Sequence, residues 1–99
     1  MITGISDKEW QLMLSSFKKI QNLKKVILFG SRAKGNYKKA SDIDLVLIGK
    51  DLTLKNSVYP LMEDFEELPY FVDILIYEYI KDKDILEHIE RVGKVVYER

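Results

Sequence analysis

Gly30-Ser31 closes an apolar run, Val26-Ile27-Leu28-Phe29, and Asp42-Ile43-Asp44 opens a second, Leu45-Val46-Leu47-Ile48. A glycine at such a turn lets backbone N–H groups approach an anion closely. Ser31 adds a hydroxyl donor, and a helical turn beginning there would aim amides at a phosphate. Arg32 and Lys34 follow with cations able to make charge-assisted bonds to phosphate oxygens. The loop is not a Walker A loop, because the Gly-Lys-Ser/Thr ending is missing.

The carboxylates supply the other half of the chemistry. Residues i and i+2 of a strand share a face, about 6.6 Å apart along the axis, so Asp42 and Asp44 project together. Each raises the other's pKa, and a divalent cation removes that conflict. With no histidine or cysteine nearby in the sequence, oxygen-only ligands favour magnesium or manganese. Asp73 lies inside Phe71-Val72-Asp73-Ile74-Leu75-Ile76, where an unpaired carboxylate would be costly. If that strand lies beside the second, Asp73 joins Asp42 and Asp44. Three acids could then hold two ions, which stand roughly 3.5–4 Å apart in two-metal sites. Asp73 could also take the proton from an acceptor hydroxyl. A triphosphate on one side and divalent metal on the other fits nucleotidyl transfer. The plainer alternatives are an ordinary Gly-Ser turn, a solvated Ser-Asp turn, and an Asp73 paired with a lysine at the sheet edge.

The elements that must position these groups read clearly. Ser6 and Glu9 form a capping-box pattern ahead of a helix to about Asn22, with Trp10, Met13, Leu14, Phe17 and Ile20 at helical spacing. Lys25–Phe29 is predicted as a strand, with Ser31 as N-cap of a short turn through Ala33. Ile43–Ile48 is a second strand. A helix follows from Asn56 or Ser57 to Leu68, with Pro60 in its first turn, where proline is tolerated. Tyr70–Tyr77 is a third strand. Lys81–Val92 is a helix with Ile85, Leu86, Ile89 and Val92 inward and Gly93 as terminator. Lys94–Glu98 is a last strand. His88 is expected on the solvated face of that last helix. Helices alternating with strands that are apolar on both faces indicate an α/β (α+β) fold, a small mixed sheet with flanking helices.

The 99 residues, with 46% apolar and 32% charged side chains, fit one domain spanning 1–99. With no cysteine, disulfides, thiolate metal sites and thiol catalysis are excluded. That absence fits a cytoplasmic location, and neither a signal peptide nor a membrane span is visible. Net charge is zero but unevenly spread. Lys18–Ser41 carries eight bases and no acid, whereas Asp42–Glu78 carries nine acids and two bases. A basic patch beside an acidic pocket suits an anionic ligand carried with metal, and a clustering of solvated lysines is the alternative.

Gly30-Ser31, ten residues, then Asp42-Ile43-Asp44, with Arg-Ala-Lys-Gly after the serine and Asp73 later in the chain, resembles the polymerase-beta-like nucleotidyltransferase superfamily. The chain especially resembles the minimal nucleotidyltransferases (MNT proteins) of prokaryotes, with Lys34 standing where arginine is frequent. The resemblance implies a polymerase-beta-like fold, Mg2+ (two ions, Mn2+ as substitute) and ATP as substrate for AMP transfer. It assigns Gly30 and Ser31 to the triphosphate and Asp42, Asp44 and Asp73 to metal. It further implies an antitoxin role toward a HEPN-domain toxin, a ribonuclease, by addition of AMP to a tyrosine of that partner.

Larger relatives carry an added helical domain that completes the acceptor site, and the sequence to Arg99 leaves no room for one. The acceptor is therefore expected on another subunit or protein, with Tyr59, Tyr77 and Tyr79 as candidate contact residues or ordinary packing. Stable DNA binding is not expected, because nothing here would grip a duplex. The alternative functions are a non-catalytic binding module that neutralises its partner by complex formation, and a nucleotidyltransferase for a small molecule or tRNA end.

Overall fold

A computed structural model describes residues 2–99. The elements are α1 (Asp7–Lys19), β1 (Leu23–Phe29), α2 (Gly30–Lys34), β2 (Ile43–Gly49), α3 (Tyr59–Asp64), β3 (Val72–Ile76), α4 (Lys83–Val92) and β4 (Lys94–Glu98). The sheet order is β3-β2-β1-β4. β1 pairs antiparallel with both β2 and β4, and β2 pairs parallel with β3. The mixed sheet read from the sequence is therefore present. Parallel strands need a crossover, and the segment containing α3 supplies it.

Alternation along the strands sorts the side chains into two layers. One face carries Val26 and Leu28, Ile43, Leu45 and Leu47, Val72, Ile74 and Ile76, and Tyr97, all buried in one core with Trp10, Met13 and Phe17 of α1 and Leu61 of α3. Phe17 is its hub. Its ring meets Phe65 edge-on at 5.9 Å and Tyr97 at 5.5 Å, contacts worth about 0.5–1.5 kcal/mol each beyond the area they bury. The opposite face carries Ile27 and Phe29, Asp44 and Val46, and Asp73 and Leu75, and α4 packs over part of it through Ile89.

Local chemistry explains the helix ends. Ser6 caps α1 with the reciprocal Glu9 bond that the sequence predicts. The second predicted helix is longer and broken. A π-turn at Leu54–Val58, capped reciprocally by Thr53 and Asn56, runs into α3 and then a 3-10 turn at Phe65–Glu67. Threonine and asparagine three apart offer the same reciprocal bonds as a serine–glutamate box, so the start moves upstream of Asn56. Asp82 caps α4, which begins at Lys83 rather than Lys81. Ile85 is 36% exposed, so the inward stripe of α4 narrows to Leu86, Ile89 and Val92.

Candidate active site

Three chain segments meet at one edge of the second face. β1 runs toward this edge and ends at Phe29, while β2 and β3 both begin here. Phe29 is the register partner of Asp44, and Asp44 is the register partner of Asp73. Register partners on neighbouring strands share a face at a spacing of about 4.8 Å. The Gly30 turn, Asp44 and Asp73 therefore form one row across β1, β2 and β3.

Gly30 sits at φ +76, a conformation L side chains rarely adopt. A Cβ there would also run into the Asp44 carboxylate. Glycine thus serves twice, for the turn and for the close approach of Asp44. The α2 N-cap is Phe29, with no side-chain cap bond, so Ser31 lies inside the first turn rather than capping it. The backbone changes direction one residue earlier than expected because glycine carries the turn. Ser31 is half-buried, and Lys34 is exposed at the end of α2.

Asp44 is half-buried, while Asp42 and Asp73 are exposed. Burial, and then the neighbouring Asp73 and Asp42 carboxylates, push the Asp44 carboxyl above its ordinary range. Asp44 thus senses both of the other acids. Asp73 is not buried as its apolar neighbours suggest, because β3 is an edge strand and residue 73 faces the open side of the sheet. Nor is it paired with a lysine. The ion pairs among the described residues are Lys19–Asp64, Lys25–Glu98 and Arg91–Glu87.

An all-oxygen donor set of crowded carboxylates fits a hard divalent cation. Among the described residues no three acidic or histidine side chains already converge into an ion-binding cluster. The backbone brings Asp44 and Asp73 to one face, with Asp42 just ahead of β2, and their side chains would have to turn toward a shared ion.

Arg32 departs from its expected role as a phosphate ligand. It is 2% exposed, and its guanidinium donates to the carbonyls of Thr3, Lys39 and Ser41 at 3.0–3.3 Å. Tyr37 and Tyr70 lie on it at 5.0 and 4.9 Å. Tyr70 in turn donates to Glu9. The arginine therefore fixes the 36–41 loop, and with it the approach to Asp42. Ser41 adds a bond of its own, accepting the Lys38 N–H at 2.7 Å.

His88 also departs from its expected place. It is half-buried, its Nε2 accepts the Gly30 N–H at 3.2 Å, and its ring meets Phe29 edge-on at 6.2 Å. Helical spacing carried the signal, since residue 88 is one turn before Val92 and adjacent to Ile89, both read as inward. Tyr37 and Tyr70 were missed as well, and nothing in their spacing reveals a buried arginine between them.

Tyr59, Tyr77 and Tyr79 are 58%, 42% and 53% exposed. The Tyr79 hydroxyl donates to the Leu52 carbonyl. No helix among the described residues is long and apolar enough to cross a membrane.

A family model described as Polymerase beta, Nucleotidyltransferase matches residues 13–99. No curated protein matches the chain. Among solved structures, the chain is similar to a toxin–antitoxin crystal structure with AMP-PNP, at TM-score 0.73 and 20% identity over 96% of this chain and 75% of the other. It is similar to a chain of the toxin–antitoxin MntA-HepT, at TM-score 0.69 and 17% identity over 95% and 74%. A third similarity is to a chain of the tri-AMPylated Shewanella oneidensis HEPN toxin in complex with MNT antitoxin, at TM-score 0.62 and 19% identity over 91% and 73%. At these identities the solved structures establish a shared fold.

Proposed function

From the premise that this chain belongs to the polymerase beta nucleotidyltransferase family, we propose that it moves AMP from ATP to a tyrosine hydroxyl of a HEPN-domain toxin and acts as the antitoxin. The observation that carries the reading is the row formed by the Gly30 turn, Asp44 and Asp73. It sets the glycine turn beside carboxylates whose repulsion a cation would relieve. The structural likeness to an MNT antitoxin in complex with a tri-AMPylated HEPN toxin supports the choice of acceptor. A cytoplasmic location belongs to the same reading.

In this reading the Ser31 hydroxyl and the amides of α2 bind the triphosphate, and exposed Lys34 adds charge near it. Asp42, Asp44 and Asp73 would hold Mg2+, which supplies charge neutralisation at the phosphates when bound. The acceptor oxygen forms a bond to the α-phosphorus, the bond from that phosphorus to the bridging oxygen breaks, and pyrophosphate leaves. Asp73, exposed and on the open face, takes the hydroxyl proton. The half-buried Asp44 fixes the site at its centre. Arg32 acts on the loop rather than on the nucleotide.

The test is label transfer with purified protein, Mg2+ and a cognate HEPN partner, using ATP labelled at the α or the γ phosphate. Transfer of α label alone, lost in Asp42→Asn/Asp44→Asn, is the expected result. Partner binding and ATP binding without any transfer would replace this reading with neutralisation by complex formation.

A further inference from the structure

We infer that His88 is a positioning residue, whose Nε2 holds the Gly30 turn in the conformation that presents Ser31 to phosphate. The inference rests on the nucleotide-binding reading above and assigns a role to a residue from a different element, α4. Gly30 has a positive φ and no side chain to anchor it, so its turn is conformationally free by nature. Gly30 lies past the last register pair of β1, and its N–H is donated to His88 at 3.2 Å. To accept that bond, the imidazole must be neutral, with its hydrogen on Nδ1.

Two further contacts keep the ring in place. Phe29 packs against it edge-on, and α4 is seated on the sheet by Gly93, where a Cβ would strike Ile27. The histidine therefore reaches the turn from a rigid platform. One consequence is a division of labour among the amides. The Gly30 N–H is spent on His88, so the donors left for phosphate begin at Ser31. A second consequence is energetic. Without the acceptor, the turn populates other conformations, and apparent ATP affinity falls by the fraction that remains competent.

Two substitutions separate the hydrogen bond from the packing. His88→Phe keeps a ring against Phe29 and removes the acceptor. His88→Gln restores an acceptor at about the reach of Nε2. In the wild-type protein, NMR is expected to show a scalar coupling across the N–H···N bond between Gly30 and His88, with the Nδ1–H tautomer. His88→Phe should raise KM for ATP about tenfold, the size of one lost hydrogen bond, and His88→Gln should stay within about twofold of wild type. Saturating ATP draws the turn closed, so kcat should change little in either variant. A merely structural histidine would instead lower the active fraction, and with it kcat.

Absence of the coupling overturns the inference. So does a folded His88→Phe protein with wild-type KM, or a His88→Gln protein as impaired as His88→Phe. If the wild-type protein binds no ATP, the nucleotide reading fails separately. His88 is then judged on the coupling and on the Gly30 and Ser31 amide shifts, and unchanged shifts in His88→Phe overturn its role.

Discussion

Asp44 and Asp73 are register partners on adjacent parallel strands, so two carboxylates stand side by side on the open face of the sheet. Like charges directly opposite destabilise a strand pair. This one is kept beside the turn that β1 enters through Gly30, whose φ is positive, and Ser31.

The first prediction follows from that repulsion. The Asp44 carboxyl lies above its ordinary range through burial, Asp73 and Asp42. A raised native pKa means that the folded state binds the proton more tightly than the unfolded state. Stability is therefore greatest below the ordinary aspartate value of about 3.9 and falls as pH rises to the raised native value. Asp44→Asn removes this loss. Without divalent ions at pH 7, the variant should be more stable by up to about 1 kcal/mol, or roughly 4–8 °C in Tm for a domain of this size. The gain should vanish in melts below about pH 3.9.

Gly30→Ala tests the turn. The substitution meets two penalties, the positive φ and the collision with the Asp44 carboxylate. A residue forced into such a conformation costs about 1–3 kcal/mol. Urea titration should show a loss of that size, and nucleotide binding should fall with it. Gly35→Ala is the control. It also has a positive φ, but a Cβ there meets nothing within 4 Å, so it should cost less and leave ATP affinity near wild type.

Arg32 and Lys34 should behave in opposite ways, although both were read from the sequence as phosphate ligands. Arg32→Lys replaces a planar fork that reaches Thr3, Lys39 and Ser41 with a single ammonium. Thermal melts should show a loss of about 1.5–3 kcal/mol, the value of hydrogen bonds to a charged group. Lys34→Ala should leave stability within about 0.5 kcal/mol while weakening ATP binding severalfold in calorimetry.

The contrast shows what was legible in the sequence. Gly30, Asp44 and Asp73 could be placed in their elements because turn chemistry and the apolar runs around them fix the turn and the strands locally. Asp42 instead falls just ahead of β2, outside the strand period expected to pair it with Asp44. The exposure of Asp73 was not legible. It depends on strand order, and β3 stands at the edge. The burial of Arg32 was not legible either, because its partners come from residues 3, 37, 39, 41 and 70. His88 lay between these cases. Its helix and its inward arc were readable, but the glycine amide it meets lies 58 positions away.

The last prediction joins stability to the site. A ligand that binds only the folded state stabilises by about 2.7 kcal/mol at a hundred times its Kd. That corresponds to roughly 10–20 °C in Tm for a domain of this size. Mg2+ with a non-hydrolysable ATP analogue should raise the wild-type melting temperature on this scale, and EDTA should reverse most of the rise. Asp42→Asn/Asp44→Asn should melt higher than wild type without ligand, because the crowding at Asp44 is gone. With Mg2+ and nucleotide it should gain little and melt lower than wild type. This inversion of rank is the signature of carboxylates retained for a cation rather than for the fold. A double variant that is less stable than wild type in both conditions would instead assign Asp42 and Asp44 to holding the loop and β2 together.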